Sequence, residues 1–355
     1  MNIVTPKLRI VLVIYRNMQI NSRQKKQVRI FINTFLGPLL FIWLSYSVYR
    51  QIRQQPDLER SWDHISASFT SGMVWNLIAV IILMLVNWSL ETVKWKLAVG
   101  KIQQVDFLTA FKAVLSGVSF SVTTPNRIGE YLGRVLYMNE GNRLKAISLT
   151  ITGSLSQLIV TLLMGITGML ILRPIIESGH FITSFWYGFI LYGVAIVLVI
   201  LTVFYFRLSW LVKWIDRMPG SKKYAWLIET LEKFDATLLL QIMSLSTLRF
   251  IVFIVQYYLL FRLFDVDVSL WESWWVVSVS FLVMAVIPTI ALFTDLGLRG
   301  TVSLMLLGLF SQNSLGISLT AVSIWFINLI IPALAGSLLI LSIKKIFKNN
   351  SAARG

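Results

Sequence analysis

Long apolar runs determine what this chain can fold into. A transmembrane helix needs about 20 consecutive, mainly apolar residues, and the chain contains six runs of about that length. They occupy residues 28–49, 70–90, 147–172, 184–206, 237–264 and 317–343. Only 14% of the residues are charged, whereas a soluble domain has about 25%. The sequence therefore predicts an all-α polytopic membrane protein with six spanning helices.

Two shorter apolar stretches, at 107–122 and 274–292, end in polar segments that contain glycine and proline. We predict that each stretch is one arm of a re-entrant hairpin, and that the hairpins cover residues 107–140 and 274–311. The first would enter from the cytoplasmic side and the second from the outer side. This opposite orientation is typical of an inverted repeat. The alternative is that both stretches are full spans.

The distribution of positive charge predicts the orientation in the membrane, because cytoplasmic segments are enriched in Lys and Arg. With six spans and two hairpins, the cytoplasmic segments contain 22 of the 32 Lys and Arg residues and the outer segments contain 5. Both termini are then cytoplasmic. The predicted organisation is a basic tail, a single transmembrane domain with two repeats, and a second basic tail. These parts cover residues 1–27, 28–343 (repeat 1 about 70–172, repeat 2 about 237–343) and 344–355.

Each predicted hairpin contains an acidic residue four positions before an arginine. Residues at this spacing share a helix face, so Glu130 can meet Arg134 and Asp295 can meet Arg299. Threonine followed by proline is a pattern typical of a helix start, and helix N-termini at the membrane centre would favour a phosphate. The predicted hairpin-tip residues are Thr124, Pro125, Asn126, Gly129, Gly133, Thr294 and Gly297.

The predicted membrane region contains more cations than anions. The cations are Lys112, Arg127, Arg134, Arg249 and Arg299, and the anions are Glu130 and Asp295. Buried charges are costly and usually functional, so the surplus predicts a bound anion such as a lipid phosphate. We assign the four arginines to phosphate binding, and the two acids to pairing or proton coupling. Arg249, in the middle of a span, needs Asp295 or Glu130 as a partner. Ordinary ion pairs at helix ends are the alternative.

Other polar residues predict structural roles. Gln157, Gln256 and Asn328 are isolated inside spans, where interhelical hydrogen bonding is expected. The chain has no cysteine and only two distant histidines, so we expect no metal site, no cofactor and no catalytic residues. The net charge of +16 is explained by contact with anionic lipid, and no nucleic-acid partner is expected.

Three motifs carry a resemblance to a known family. They are Glu91-Thr92-Val93-Lys94-Trp95-Lys96-Leu97, then Thr124-Pro125-Asn126-Arg127-Ile128-Gly129-Glu130-Tyr131 with Arg134, and Asp295-Leu296-Gly297-Leu298-Arg299. In these motifs the chain resembles the transmembrane region of lysylphosphatidylglycerol synthases, which also occurs alone in flippase-like bacterial proteins. The resemblance implies a protein of the bacterial cytoplasmic membrane that moves an anionic lipid, a phospholipid or a polyprenyl phosphate, between leaflets. Because the chain stops at Gly355, we expect no synthase domain and no aminoacyl transfer.

The chain also departs from this family's pattern. Many relatives have a Glu-Arg pair where this sequence has Ser156-Gln157, and an acid where it has Gly300. A changed headgroup preference and a loss of transport are both open. Two other functions are alternatives: a membrane glycosyltransferase that uses outer acids, and a non-transporting scaffold whose partner is a lipid-modifying enzyme. The outer acids are Asp57, Glu59, Asp63, Asp265 and Asp267. The oligomeric state does not follow from the sequence.

Overall fold

The computed structural model describes residues 72–122, 124, 129–179, 183–207, 234–287 and 292–340, with a few isolated residues between 46 and 69. Within these ranges the chain forms nine α-helices and no strand. The helices are α1 (Val74–Val99), α2 (Phe107–Val122), α3 (Gly129–Val135), α4 (Arg143–Ser178), α5 (Ser184–Phe206), α6 (Ala236–Leu263), α7 (Leu270–Val286), α8 (Leu292–Leu307) and α9 (Ser314–Ile340, with a π turn at Phe326–Ile330).

Five of these helices are long and apolar enough to cross a membrane: α1, α4, α5, α6 and α9. Each coincides with one predicted span. The tails at 1–27 and 344–355 lie outside the described residues, and so does the predicted span at 28–49 apart from Tyr46 and Tyr49. The prediction of an all-α, multi-pass membrane protein is therefore confirmed for the part of the chain that the structure describes.

Helix α1 is longer than predicted. The apolar run was expected to end at residue 90, but the helix continues to Val99. Glu91 and Lys94 lie one turn apart in this extension, where their side chains pair at 2.7 Å and are buried. Pairing offsets much of the cost of burying both charges. The first part of the segment 91–106, which we expected to be a connection after the span, is thus helical, and Lys94 is buried within α1.

Helices α1 and α6 form a central antiparallel pair. Near one end, Gln256 Nε2 donates a 2.9 Å hydrogen bond to the carbonyl of Val80. At the other end, Lys101 and Asp235 lie 3.5 Å apart. Along the pair, the contacting residue numbers therefore increase in α1 while they decrease in α6. The interhelical role predicted for Gln256 is confirmed.

Glycines allow α4 and α7 to pack closely. A Cβ on Gly165 would lie 2.4 Å from Leu282 Cβ, and one on Gly168 would lie 2.9 Å from the Trp275 carbonyl oxygen. Small residues at such positions let transmembrane helices approach each other. Helices α1, α4, α6 and α7 bury one continuous apolar core, which fixes the position of α6.

Helices α2 and α3 form an antiparallel pair with almost no space between their backbones. A Cβ on Gly133 would lie 2.5 Å from Gly117 Cα. The pair begins and ends at neighbouring points, because the Asn139 N–H donates a 3.0 Å hydrogen bond to Gln103 Oε1, beyond the end of α1. The chain thus enters and leaves this pair beside the Val99 end of α1.

Helices α7 and α8 form a second pair at the other end of the bundle. Helix α7 starts with a capping box between Ser269 and Glu272, a few residues after α6 ends. After α8, Asn313 Nδ2 donates a 3.1 Å hydrogen bond to the Phe264 carbonyl. This pair therefore begins and ends beside the Leu263 end of α6. Since α1 and α6 are antiparallel, that end lies opposite the Val99 end of α1.

Candidate functional site

Glu91 lies at the centre of a buried cluster of charges. Its carboxylate accepts hydrogen bonds from Lys94 Nζ at 2.7 Å, from Arg134 Nη2 at 2.8 Å and from Arg249 Nη1. Glu91 is only 5% exposed. The cluster joins α1, α3 and α6, so we name it the Glu91 cluster: Glu91, Lys94, Glu130, Arg134 and Arg249. The sequence interpretation missed Glu91 as a site residue, although its spacing to Lys94 was a usable signal.

Arg134 is held between two carboxylates and a glycine. Its Nη2 donates to Glu130, as the spacing of four residues predicted, and also to Glu91. The side chain is 2% exposed. A Cβ on Gly117 would lie 3.1 Å from Arg134 Cγ, so glycine at this position in α2 makes room for the arginine. The Arg134 Nε has no hydrogen-bond partner among the described residues.

Arg249 forms an ion pair with a carboxylate on α1. Its Nη1 donates to Glu91, and its Nε donates a 2.8 Å hydrogen bond to Asn87 Oδ1. The guanidinium also lies 5.6 Å from the centre of the Trp88 ring. The predicted partners, Asp295 or Glu130, were therefore wrong. The reason is the antiparallel packing of α1 against α6, which brings two successive turns of α1 to Arg249.

One of the sequence departures lies next to this cluster. Lys94 Nζ donates a 3.4 Å hydrogen bond to Ser246 Oγ, and Ser246 and Ser156 share a hydrogen bond of 2.7 Å. A Cβ on Gly153, one turn before Ser156, would lie 3.6 Å from Lys94 Cε. The hydroxyl groups of Ser156 and Ser246 thus lie next to Lys94.

Arg299 belongs to a second cluster. It lies 3.5 Å from Asp295, the residue four positions earlier, and its Nη1 donates a 3.0 Å hydrogen bond to the Tyr257 hydroxyl. Arg299 and Asp295 have side-chain exposures of 12% and 8%, and Gly297 between them is also buried. Arg249 and Tyr257 are separated by about 12 Å along α6. Arg134 and Arg299 therefore lie in two clusters at different depths.

Only part of the predicted hairpin tips falls within the described residues; Pro125, Asn126 and Arg127 lie outside them. Thr124 Oγ1 accepts a 2.7 Å hydrogen bond from the N–H of Gly129 and so connects to the start of α3. The sequence also allows Thr294 to cap the second arm of the other hairpin, but Thr294 lies inside α8, two residues after Leu292, and so is not its N-cap. Lys112 is half-buried on α2.

The triplet Asp265-Val266-Asp267 lies in a turn of the chain between α6 and α7. Asp265 has a positive φ of 54°, a conformation that Asp adopts more readily than most residues. Its carbonyl accepts a 2.9 Å hydrogen bond from Asn313 Nδ2. Among the described residues, no three His, Asp or Glu side chains are grouped as metal ligands. Asp265 thus has a clear part in connecting α6 to α7.

Comparison with known families agrees with these motifs. The family model described as lysylphosphatidylglycerol synthase TM region matches residues 30–336. The chain belongs to this family. The match includes both charged clusters and extends from before α1 into α9, which confirms the resemblance found in the sequence. No curated protein matches the chain.

In this member of the lysylphosphatidylglycerol synthase TM region family, each motif lies at a cluster. The first motif supplies Glu91 and Lys94 from α1, and the second supplies Glu130 and Arg134 from α3. The third supplies the Asp295–Arg299 pair from α8. Arg249 lies outside all three motifs and is joined to them by the fold.

Proposed function

We propose that this protein binds an anionic membrane lipid at the Glu91 cluster and carries its headgroup between the two leaflets. The observation that carries this proposal is the charge of the cluster. Lys94, Arg134 and Arg249 share the carboxylates of Glu91 and Glu130. Three cations and two anions leave a positive charge in a buried site, which is costly. The phosphate of a lipid would supply the balancing negative charge.

The depth of the cluster supports a position inside the hydrocarbon layer. Helices α1 and α6 have 26 and 28 residues, which corresponds to lengths of about 39 and 42 Å. Glu91 lies about 12 Å from the C-terminal end of α1, and Arg249 lies near the middle of α6. The hydrocarbon core of a bilayer is about 30 Å thick. A headgroup bound at this depth would have left the water phase.

The two helix pairs would give access to the site from opposite leaflets. We propose six spanning helices, with α2–α3 and α7–α8 as re-entrant hairpins of an inverted repeat and both termini in the cytoplasm of a bacterium. Helices α2 and α7 have 16 and 17 residues, fewer than a span normally needs. The pair α2–α3 begins and ends at one end of the bundle, and the pair α7–α8 begins and ends at the opposite end. Arg134 lies on α3 and Arg299 lies on α8, which are the second helices of the two pairs.

The two carboxylates of the Glu91 cluster would have different roles. Glu91, whose side chain is 7% exposed, is bonded to three cations and would stay in place as their anchor. The side chain of Glu130 is 24% exposed, so it is the carboxylate that an incoming phosphate would displace from Arg134. We propose that Arg127 and Arg249 also contact the phosphate, and that Arg299 receives it at the second depth. Asp295 would pair with Arg299 when no lipid is bound, or carry a proton.

The test is the lipid content of the gently purified protein, measured by mass spectrometry. We expect anionic phospholipids or polyprenyl phosphates to be enriched over zwitterionic lipids, and we expect the double variant Arg134→Gln/Arg249→Gln to lose the enrichment. Arg173→Gln is the matched control, because Arg173 forms an exposed pair with Glu177 at the end of α4. An unchanged lipid content in the double variant would contradict the proposal and would favour a scaffold.

A further inference from the structure

Asn328 occupies an unusual turn in α9. At Phe326–Ile330 the helix widens into a π turn, in which the N–H of Ile331 donates to the carbonyl of Phe326. Such turns are rare and occur often at functional sites. Asn328 is 7% exposed, yet neither atom of its amide group has a hydrogen-bond partner among the described residues. A buried amide without a partner is destabilising. The interhelical hydrogen bond that the sequence predicted for Asn328 is not formed within the described part of the chain.

The π turn lies at the depth of the Glu91 cluster. Gly316 packs against the end of α6, where a Cβ would lie 2.4 Å from the Phe264 carbonyl oxygen. From this contact, Asn328 lies about 18 Å along α9 and Arg249 about 22 Å along α6. The two residues are therefore at similar depths, and the π turn packs directly against α1.

Helix α9 also reaches the surroundings of Arg134. A Cβ on Gly336 would lie 2.0 Å from the Leu115 carbonyl oxygen, so α9 touches α2 two residues before Gly117. Gly117 is the residue that makes room for Arg134. Helix α9 thus packs against α2 near Gly117 and, through the π turn, against α1.

Helix α1 presents further uncharged polar atoms at this depth. Asn87 is 1% exposed, and its Oδ1 accepts a hydrogen bond from Arg249 Nε, but its Nδ2 has no partner among the described residues. The Trp88 Nε1 is also buried and has no hydrogen-bond partner among the described residues. Beside the arginines there are therefore free donors on α1, and both a donor and an acceptor on Asn328.

We propose that Asn328 and Asn87 form a neutral polar subsite, which binds hydroxyl groups of a sugar or polyol headgroup while Arg134 and Arg249 hold its phosphate. A hydroxyl group both donates and accepts, which matches the two atoms of an amide. This subsite rests on the proposed lipid binding. It would allow the protein to discriminate among lipids of equal charge by their headgroup hydroxyls.

The test compares two lipids that carry one phosphodiester charge and the same acyl chains. Phosphatidylglycerol has headgroup hydroxyls, and phosphatidylethanol has none. Each is added to the purified full-length protein, and the bound fraction is measured by native mass spectrometry. We expect the wild-type protein to prefer phosphatidylglycerol by about tenfold. We expect Asn328→Leu to abolish the preference while phosphatidylethanol still binds.

Gln256→Leu is the matched control, because Gln256 is also a buried amide in a span but is bonded to the Val80 carbonyl. This variant should lower the thermal stability and keep the lipid preference, whereas Asn328→Leu should not lower the stability in the absence of lipid. The subsite would be overturned if Asn328→Leu could not be purified or were as unstable as Gln256→Leu. Either result would mean that the amide of Asn328 stabilises the fold, directly or through a bound water.

The remaining outcomes separate the subsite from the proposed function. Equal binding of both lipids by the wild-type protein would overturn the subsite and leave the function standing. The same holds if Asn328→Leu keeps the preference. Binding of neither lipid to the wild-type protein would overturn the proposed binding of phospholipids together with the subsite.

Discussion

The carboxylate of Glu91 and the guanidinium of Arg134 meet at 2.8 Å, although 43 residues separate them in the chain. This ion pair connects α3 to α1 in the central pair of helices. In the proposed function, a movement of α2 and α3 that opens the site would have to break it. Glu91 is bonded to Arg249 as well, so one carboxylate holds both arginines that we assign to the phosphate.

Removal of the charge of Glu91 should destabilise the protein. In Glu91→Gln, three buried cations lose their shared carboxylate, and we expect the free energy of unfolding to fall by about 3 kcal/mol or more. Thermal unfolding in detergent measures the effect. Glu177→Gln is the control, because it breaks an exposed pair with Arg173, which is worth about 0.5 kcal/mol or less. Equal stability of the two variants would show that Glu91 is not the anchor of the cluster.

A methyl group between α2 and α3 should displace Arg134. A Cβ at residue 133 would lie 2.5 Å from Gly117 Cα, so Gly133→Ala must push the two helices apart. We expect a loss of about 2 kcal/mol in stability and weaker lipid binding. Gly141→Ala is the matched variant, since a Cβ there has no neighbour within 4 Å among the described residues, and it should leave both properties unchanged. Normal lipid binding by Gly133→Ala would mean that the close approach of the helices is unimportant for the site.

Arg249 should not be replaceable by lysine. The arginine bonds Asn87 through Nε and Glu91 through Nη1, whereas a lysine offers a single point charge and no fixed fork. We expect Arg249→Lys to reduce lipid transport in vesicles about tenfold and Arg249→Gln to reduce it further. Transport by the lysine variant at the wild-type rate would show that the charge alone is sufficient.

The start of α6 should become less stable in acid. The N–H of Leu238 donates to the carboxylate of Asp235, which lowers the pKa of Asp235, and Lys101 lies close enough to add to this effect. An Asp whose pKa is lowered on folding contributes stability at neutral pH, and this contribution is lost as the pH falls below about 3.9 and through the folded pKa.

Hydrogen exchange of the first turn of α6, measured between pH 3 and pH 6, checks this prediction. Exchange rates are compared with Asp235→Asn, whose side chain can still cap the helix but does not titrate. The wild-type protein should lose relative protection at the acidic end of the range, and the Asn variant should not. The same pH dependence in both proteins would exclude Asp235 as its cause.

The sequence predicts the helices better than it predicts the charge network. The spans at α4, α5 and α6 follow directly from hydropathy, and the pairs Glu130–Arg134 and Asp295–Arg299 follow from helical spacing. The end of α1 did not follow, because charged residues normally mark the end of a span. Here Glu91 and Lys94 pair within one turn, so the helix continues to Val99, and Trp95, Ala98 and Val99 are buried.

Contacts between helices distant in sequence could not be predicted from either helix alone. The pairing of Arg249 with Glu91 depends on the antiparallel register of α1 and α6, which is set by packing along both helices. The separation of Arg134 and Arg299 into two clusters has the same origin. The position of Thr294 shows a different limit of prediction from sequence. A threonine before an acidic residue is compatible with the first turn of a helix as well as with its N-cap, and in α8 Thr294 lies in the first turn.

The proposed lipid transport can be tested by translocation of a fluorescent anionic lipid in vesicles that contain the purified protein. We expect the wild-type protein and Arg173→Gln to move this lipid between leaflets and Arg134→Gln/Arg299→Gln not to move it. We expect a zwitterionic analogue to be moved much more slowly. Equal rates for the wild-type protein and the double variant, with both correctly folded, would contradict the claim that the buried arginines carry the lipid.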